Sequence, residues 1–163
     1  MKALPIFLLA CAICFLSCTT RSDKAASYND SIIAQQTEII EAFDQMDSVM
    51  STLNNEEMES TYLIVRGKVK EGLKSLDTLG AFEKDDALLQ ASRDLFRGYD
   101  RLMQNEYSEL LEIIQLPDSA ITTNVQQEAF GLESDIVMTM KTLHTDYELK
   151  QRSFGEKYNV VFE

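Results

Sequence analysis

The sequence is poor in the residue types that most often carry chemistry. Its 163 residues include no tryptophan, two prolines and a single histidine, His144. One histidine cannot build the two-histidine metal sites of helical di-metal proteins, and it leaves the chain a single side chain that titrates near neutral pH. Glycine-rich phosphate loops of the GxGxxG or GxxxxGK type are also absent from the sequence. We therefore predict a non-enzymatic protein with no cofactor and no metal site.

Clusters of positive charge are equally scarce. The formal net charge is −12 at pH 7, and the basic residues are interspersed with acids. Nucleic-acid phosphates are bound by clustered Lys and Arg side chains. The composition therefore excludes nucleic acid as a partner, and we expect an acidic, solvated surface that keeps the protein soluble.

Cysteine is absent from all but the beginning of the chain. Cys11, Cys14 and Cys18 are the three cysteines of the sequence. A mature chain that starts at Cys18 has no second thiol, so it forms no intramolecular disulfide. Such a chain fits export to an oxidising compartment, where a spare thiol would form wrong bridges.

The first residues have the pattern of a secretory signal peptide. Lys2 supplies a positive charge, and the apolar run over 3–16 is interrupted only by Pro5. A membrane-spanning helix needs about 20 apolar residues, and the polar stretch 17–23 ends this run too early. We predict a signal peptide over 1–17, with an uncleaved membrane anchor as the alternative.

The end of this segment, Phe15-Leu16-Ser17-Cys18, resembles the bacterial lipobox. The resemblance implies that Cys18 receives a diacylglycerol thioether and becomes the first residue after cleavage, with palmitate-type acyl chains holding the protein on a membrane. Leu8-Leu9-Ala10-Cys11 also fits the pattern but leaves a very short apolar core. No acid directly follows Cys18, which by analogy with lipoprotein sorting favours the outer membrane, on its periplasmic or its surface face.

Apolar residues after position 27 recur at intervals of three and four, the period of a helix face. Four helical segments are predicted, over 27–53, 55–79, 85–115 and from about 122 almost to the end. Ser27 or Asn29 is expected to cap the first, Gly80 to stop the second and Pro117 to end the third. Long helices joined by short turns pack as antiparallel neighbours. We predict an all-α, up-and-down antiparallel four-helix bundle over 28–163, attached through a flexible tether over 18–27.

Two features of these helices leave alternatives open. Glu106, Glu109 and Glu112 share one side of the third segment, as a cation site would require, but we expect them to face solvent because the apolar stripe lies opposite. Four glycines inside the helices are read either as sites of close helix contact or as tolerated substitutions; they are Gly67, Gly72, Gly98 and Gly131.

Three stretches of the body are similar to a family of uncharacterised bacterial surface lipoproteins, found largely in bacteroidetes and built on helical bodies. The resemblance covers about 28–163. It implies a cellular location and a fold, and it implies no activity. It rests on Tyr28-Asn29-Asp30 with Gln35-Gln36, on Leu79-Gly80-Ala81-Phe82 with Leu95-Phe96-Arg97-Gly98-Tyr99, and on Phe154-Gly155-Glu156-Lys157-Tyr158-Asn159.

These observations favour a lipid-anchored envelope protein that presents a helix groove to another envelope protein or peptide. The alternative is a cation-binding protein or envelope enzyme that uses carboxylates alone.

Overall fold

The computed structural model describes residues 20–162, and within them the protein is all-α. The predicted signal peptide and Cys18 lie outside the described residues. The helices are α1 (Arg21–Met50), α2 (Asn55–Leu79), α3 (Ala87–Gln104), α4 (Glu106–Ile114), a short 3₁₀ helix (Asp118–Ala120) and α5 (Thr123–Tyr158).

The helices run alternately up and down, as predicted. At one end, here called the Tyr28 end, the Tyr28 hydroxyl at the start of α1 donates to the carbonyl of Gly80 at the end of α2, over 2.8 Å. At the opposite Tyr107 end, the Tyr107 hydroxyl of α4 donates to Asp47 near the end of α1, over 3.0 Å. Helices α3 and α4 follow each other and together form the third helical segment, so the bundle has four segments.

The predicted apolar stripes form the core. Leu53 is the one predicted stripe residue with an exposed side chain; it lies beyond the end of α1 with a positive φ of 56°. The predicted stripe residues that are buried are Ile32, Ile39, Phe43, Met46, Met58, Val65, Val69, Leu76, Leu88, Leu95, Tyr99, Leu102, Tyr107, Leu110, Ile136, Tyr147, Phe154 and Tyr158.

The predicted tether over 18–27 is wrong from residue 21 onward, because α1 begins at Arg21. Thr20 caps the helix: its hydroxyl accepts the Asp23 amide over 3.1 Å, and the Asp23 carboxylate accepts the Thr20 amide over 2.9 Å. Ala25, one turn later, is fully buried. The predicted caps Ser27 and Asn29 therefore lie inside the helix. The reciprocal cap satisfies two amides that a helix start otherwise leaves unpaired.

The third predicted segment is broken at Asn105. Its backbone adopts φ −110° and ψ −89°, outside the helical region, so α3 and α4 meet at a bend. Gly80, by contrast, ends α2 as predicted, with a positive φ of 70° that favours glycine.

The two readings of the helix glycines divide evenly. A Cβ on Gly72 would lie 2.9 Å from the Phe96 ring, and one on Gly98 would overlap the side chain of Leu143. Gly67 and Gly131 have open space where a Cβ would stand. Close helix approach therefore explains the first pair only.

Candidate interaction surface and interior polar cluster

His144 lies half-buried between α3 and α5, where its Nε2 is 2.6 Å from the hydroxyl of Tyr99. Burial raises the pKa of Tyr99 well above its ordinary value, so the phenol stays protonated. Burial lowers the pKa of His144, although the charge of Glu148 opposes this shift. At neutral pH the pair is therefore an uncharged hydrogen bond.

Further polar groups lie along the same interior seam. The Gln151 side chain of α5 donates to Asn29 of α1 over 2.8 Å. The Tyr147 hydroxyl and the Gln36 Oε1 atom are buried and make no well-formed hydrogen bond among residues 20–162; their polar neighbours are Ser92 and Tyr99. Burial also raises the pKa of Tyr147. The seam joins α1, α3 and α5 through uncharged polar groups.

The chemistry of this cluster is limited by what touches the histidine. Nucleophilic catalysis needs a base within hydrogen-bond reach of a Ser, Thr or Cys nucleophile, with a third group to orient the base. Among the described residues, Tyr99 is the one side chain hydrogen-bonded to His144. This arrangement positions two helices against each other and has the geometry of a structural contact.

The acidic side chains of α4 and of the turn before α3 differ in how far they are exposed and in what they bind. Glu109 and Glu112 are exposed, as expected, whereas Glu106 is half-buried at the start of α4. Asp85, two residues before α3, accepts the Ala87 amide over 3.2 Å and also binds Lys157 over 2.7 Å. No group of three or more His, Cys, Asp or Glu side chains in residues 20–162 is placed to hold a metal ion.

Glu106 lines an open groove of about 370 Å³ between α4 and α5, here called the α4–α5 groove. Its wall is both apolar and acidic. The remaining lining residues come from α5 and are Asp135, Met138, Thr139, Thr142 and Leu143. Glu106 directly follows the bend at Asn105 and is the residue that α4 contributes to this groove.

Beside the groove lies a group of exposed apolar side chains that we call the α5 patch. It consists of Phe130, Val137 and Met138, with exposed fractions of 72%, 67% and 65%. Phe130 and Val137 lie two turns apart on one side of α5, and Met138 connects them to the groove. The patch and the groove therefore form one continuous surface.

The first half of α5 is unusual in its packing and in its charge. Val125, Ala129 and Leu132, predicted to face the core, are only half-buried. Residues 123–140 contain the acids Glu128, Glu133 and Asp135 and no Lys or Arg. This half of the helix combines loosely covered apolar side chains with negative charge.

Comparison of the chain with known protein families, with curated proteins and with solved structures finds no match. None of the helices in residues 20–162 is long and apolar enough to cross a membrane. The sequence predicted the inner face of α5 but missed the patch, because Phe130, Val137 and Met138 stand outside the helical stripe. Their high exposed fractions became visible only in the folded chain.

Proposed function

We propose that this protein is a lipid-anchored component of the bacterial cell envelope, held through Cys18, that binds a basic amphipathic helix of another envelope protein. The observation that carries the binding role is the continuous surface formed by the α5 patch and the α4–α5 groove. Lipid attachment is supported by the sequence over 1–18, and the absence of an acid directly after Cys18 favours the outer membrane, on its periplasmic or its surface face.

The chemistry of the surface specifies its partner. An amphipathic helix binds in a groove by burying apolar side chains at helical spacing. Phe130, Val137 and Met138 offer the apolar contacts, with Met138 adaptable in shape. Glu106 and Asp135 line the groove and attract Lys or Arg on the incoming helix.

A second copy of the chain is a poorer occupant. Two identical molecules would bring the same acidic α5 surfaces together, and each chain carries a net charge of −12. Like charges brought close together across an interface oppose association. We therefore expect the isolated domain to remain monomeric in sedimentation experiments.

Binding can be tested with a defined probe, a fluorescent amphipathic helical peptide whose polar face is lysine-rich. We expect saturable binding that weakens as salt is added, because the attraction is partly electrostatic. A peptide with glutamate in place of lysine should not bind. Equal binding of the two peptides would refute the predicted charge preference.

The site is tested by the double variant Val137→Ser, Met138→Ser. Each fully buried apolar side chain contributes about 1.5–3 kcal/mol, so losing both contacts should weaken binding by more than tenfold. The matched control is Leu63→Ser, Ile64→Ser. It removes two consecutive exposed apolar side chains from α2, outside the α5 patch. An unchanged affinity in the α5 variant, or an equal loss in the control, would refute this site.

Function in the cell can be tested with a photo-crosslinking amino acid at Val137 or, as the control position, at Leu63. We expect an adduct with an envelope protein from Val137 that excess lysine-rich peptide suppresses. The adduct should be lost in Cys18→Ala, which removes the anchor. An adduct that forms equally from both positions would contradict the proposal.

A further inference from the structure

The distance between the proposed anchor and the folded body is very short. Cys18 precedes the helix cap Thr20 by two residues. Two residues of extended chain span at most about 7 Å. The reciprocal cap of Thr20 and Asp23 fixes the start of α1, so the beginning of the bundle is close to the sulfur that we propose is lipidated.

The first turn of α1 is also fastened to the rest of the bundle. The Arg21 guanidinium pairs with Glu83 in the α2–α3 turn over 2.6 Å and lies over the Tyr158 ring at 4.8 Å. The Ser22 hydroxyl donates to the carbonyl of Asn159 at the end of α5 over 2.8 Å. Residues from the α2–α3 turn and from the end of α5 therefore hold this turn against the Tyr28 end of the bundle.

The lengths of the helices place the α5 patch far from this end. With a rise of about 1.5 Å per residue, Met138 lies about 30 Å along α5 from Tyr158, and Phe130 about 42 Å. The interfacial layer of a bilayer leaflet is about 5–7 Å thick. A bundle standing on its Tyr28 end would therefore hold the patch clear of the lipid.

A bundle lying on its side would instead press the patch into the lipid, and the charge of α5 opposes that orientation. Helices that lie in a membrane interface carry Lys and Arg beside their apolar face. Residues 123–140 carry three acids and no Lys or Arg. Lys141, one turn after Val137, is the nearest cation along α5. Over 123–141 three acids therefore stand against one cation, a balance that does not favour binding to lipid phosphates.

From these observations we infer that the bundle stands on its Tyr28 end and holds the α5 patch about 30–42 Å from the bilayer, so that the partner is a water-exposed protein segment and not lipid. This inference rests on the proposed anchoring at Cys18. The Tyr28 end carries both signs of charge, as shown by Arg21, Glu83, Asp85 and Lys157. Its contact with the membrane therefore depends on the acyl chains and not on anionic lipid.

The test uses the acylated mature protein, which begins at Cys18, in neutral phosphatidylcholine vesicles that contain headgroup spin-labelled lipid. A fluorophore is placed on one introduced cysteine, at Lys84 in the α2–α3 turn, at Met138 or at Asn54 near the Tyr107 end. Cys18 does not react, because acylation occupies its sulfur. We expect strong quenching at position 84, weak quenching at positions 138 and 54, and no change when anionic lipid is added.

A variant with about ten Gly and Ser residues inserted between Thr19 and Thr20 provides the control for the short link. The insertion adds a flexible segment of about 16–19 Å and should reduce quenching at position 84. Quenching at position 138 that equals that at position 84 would overturn the upright orientation. Flotation of the protein with the vesicles is measured separately, and a chain that does not float would refute the anchoring itself.

Discussion

The buried Tyr147 hydroxyl gives the sharpest prediction about stability. The residue is only 3% exposed, and its oxygen makes no well-formed hydrogen bond among residues 20–162. Its polar neighbour is Ser92, whose hydroxyl already donates to the Leu88 carbonyl over 2.7 Å. A buried polar group without a partner costs about 1–3 kcal/mol of desolvation. Tyr147→Phe removes the oxygen and keeps the ring. We therefore expect the variant to be more stable by about 1 kcal/mol, with a melting temperature about 2–4 °C higher.

Tyr28→Phe is the matched control, because it removes the same atom from a hydroxyl that is bonded. That hydroxyl donates to the Gly80 carbonyl over 2.8 Å. Its loss should destabilise the protein by about 1 kcal/mol, which places the two variants about 2 kcal/mol apart.

Urea unfolding of both variants and the wild type, followed by circular dichroism, measures the difference directly. The slope with urea should be the same in all three proteins, since the surface exposed on unfolding hardly changes. If Tyr147→Phe proved as destabilising as Tyr28→Phe, the Tyr147 hydroxyl would be bonded in the folded protein. The account of the interior seam would then be wrong.

Three further predictions concern pH, helix packing and cations. Burial lowers the pKa of His144 in the folded protein. As the pH falls below about 6.5, the unfolded chain therefore takes up the proton before the folded chain does. The contribution of this residue to stability is present above that pH and is lost below it. His144→Gln should therefore flatten the dependence of the urea midpoint on pH between about 7.5 and 5, and an unchanged slope would contradict the burial. Gly67→Ala should raise the melting temperature, because the added methyl group lies in open space and the helix gains about 1 kcal/mol of propensity. Gly72→Ala should lower the melting temperature, because overpacking against the Phe96 ring costs about 1–3 kcal/mol. The opposite order would refute the packing described for α2. Added Ca²⁺ or Mn²⁺ should leave the melting temperature unchanged, and a rise would favour the carboxylate-based cation-binding alternative.

Much of the fold could be predicted because an apolar stripe at helical spacing records which face of a helix is buried. Positions such as Leu95, Tyr99 and Leu102 follow that rule, and all three are buried. The start of α1 was missed although its signal was present. Thr20 and Asp23 stand at the spacing of a capping box, within a stretch of small polar residues that is equally typical of a linker.

The bend at Asn105 had no comparable signal, because neither proline nor glycine marks it. The interior seam was also beyond prediction. Periodicity along one helix does not fix the register between helices, so it cannot predict that Tyr99 lies beside His144 or that the Tyr147 hydroxyl is buried. In the same way, the exposure of the α5 patch depends on how much of α5 is covered by α4, which periodicity along α5 does not reveal.

The central claim, a helical bundle held on a membrane through Cys18, is tested most directly by the mass of the amino-terminal fragment of the native protein purified from membranes. The account predicts a fragment that begins at Cys18 and carries acyl chains on its sulfur. An unmodified fragment that begins at Met1 would contradict it.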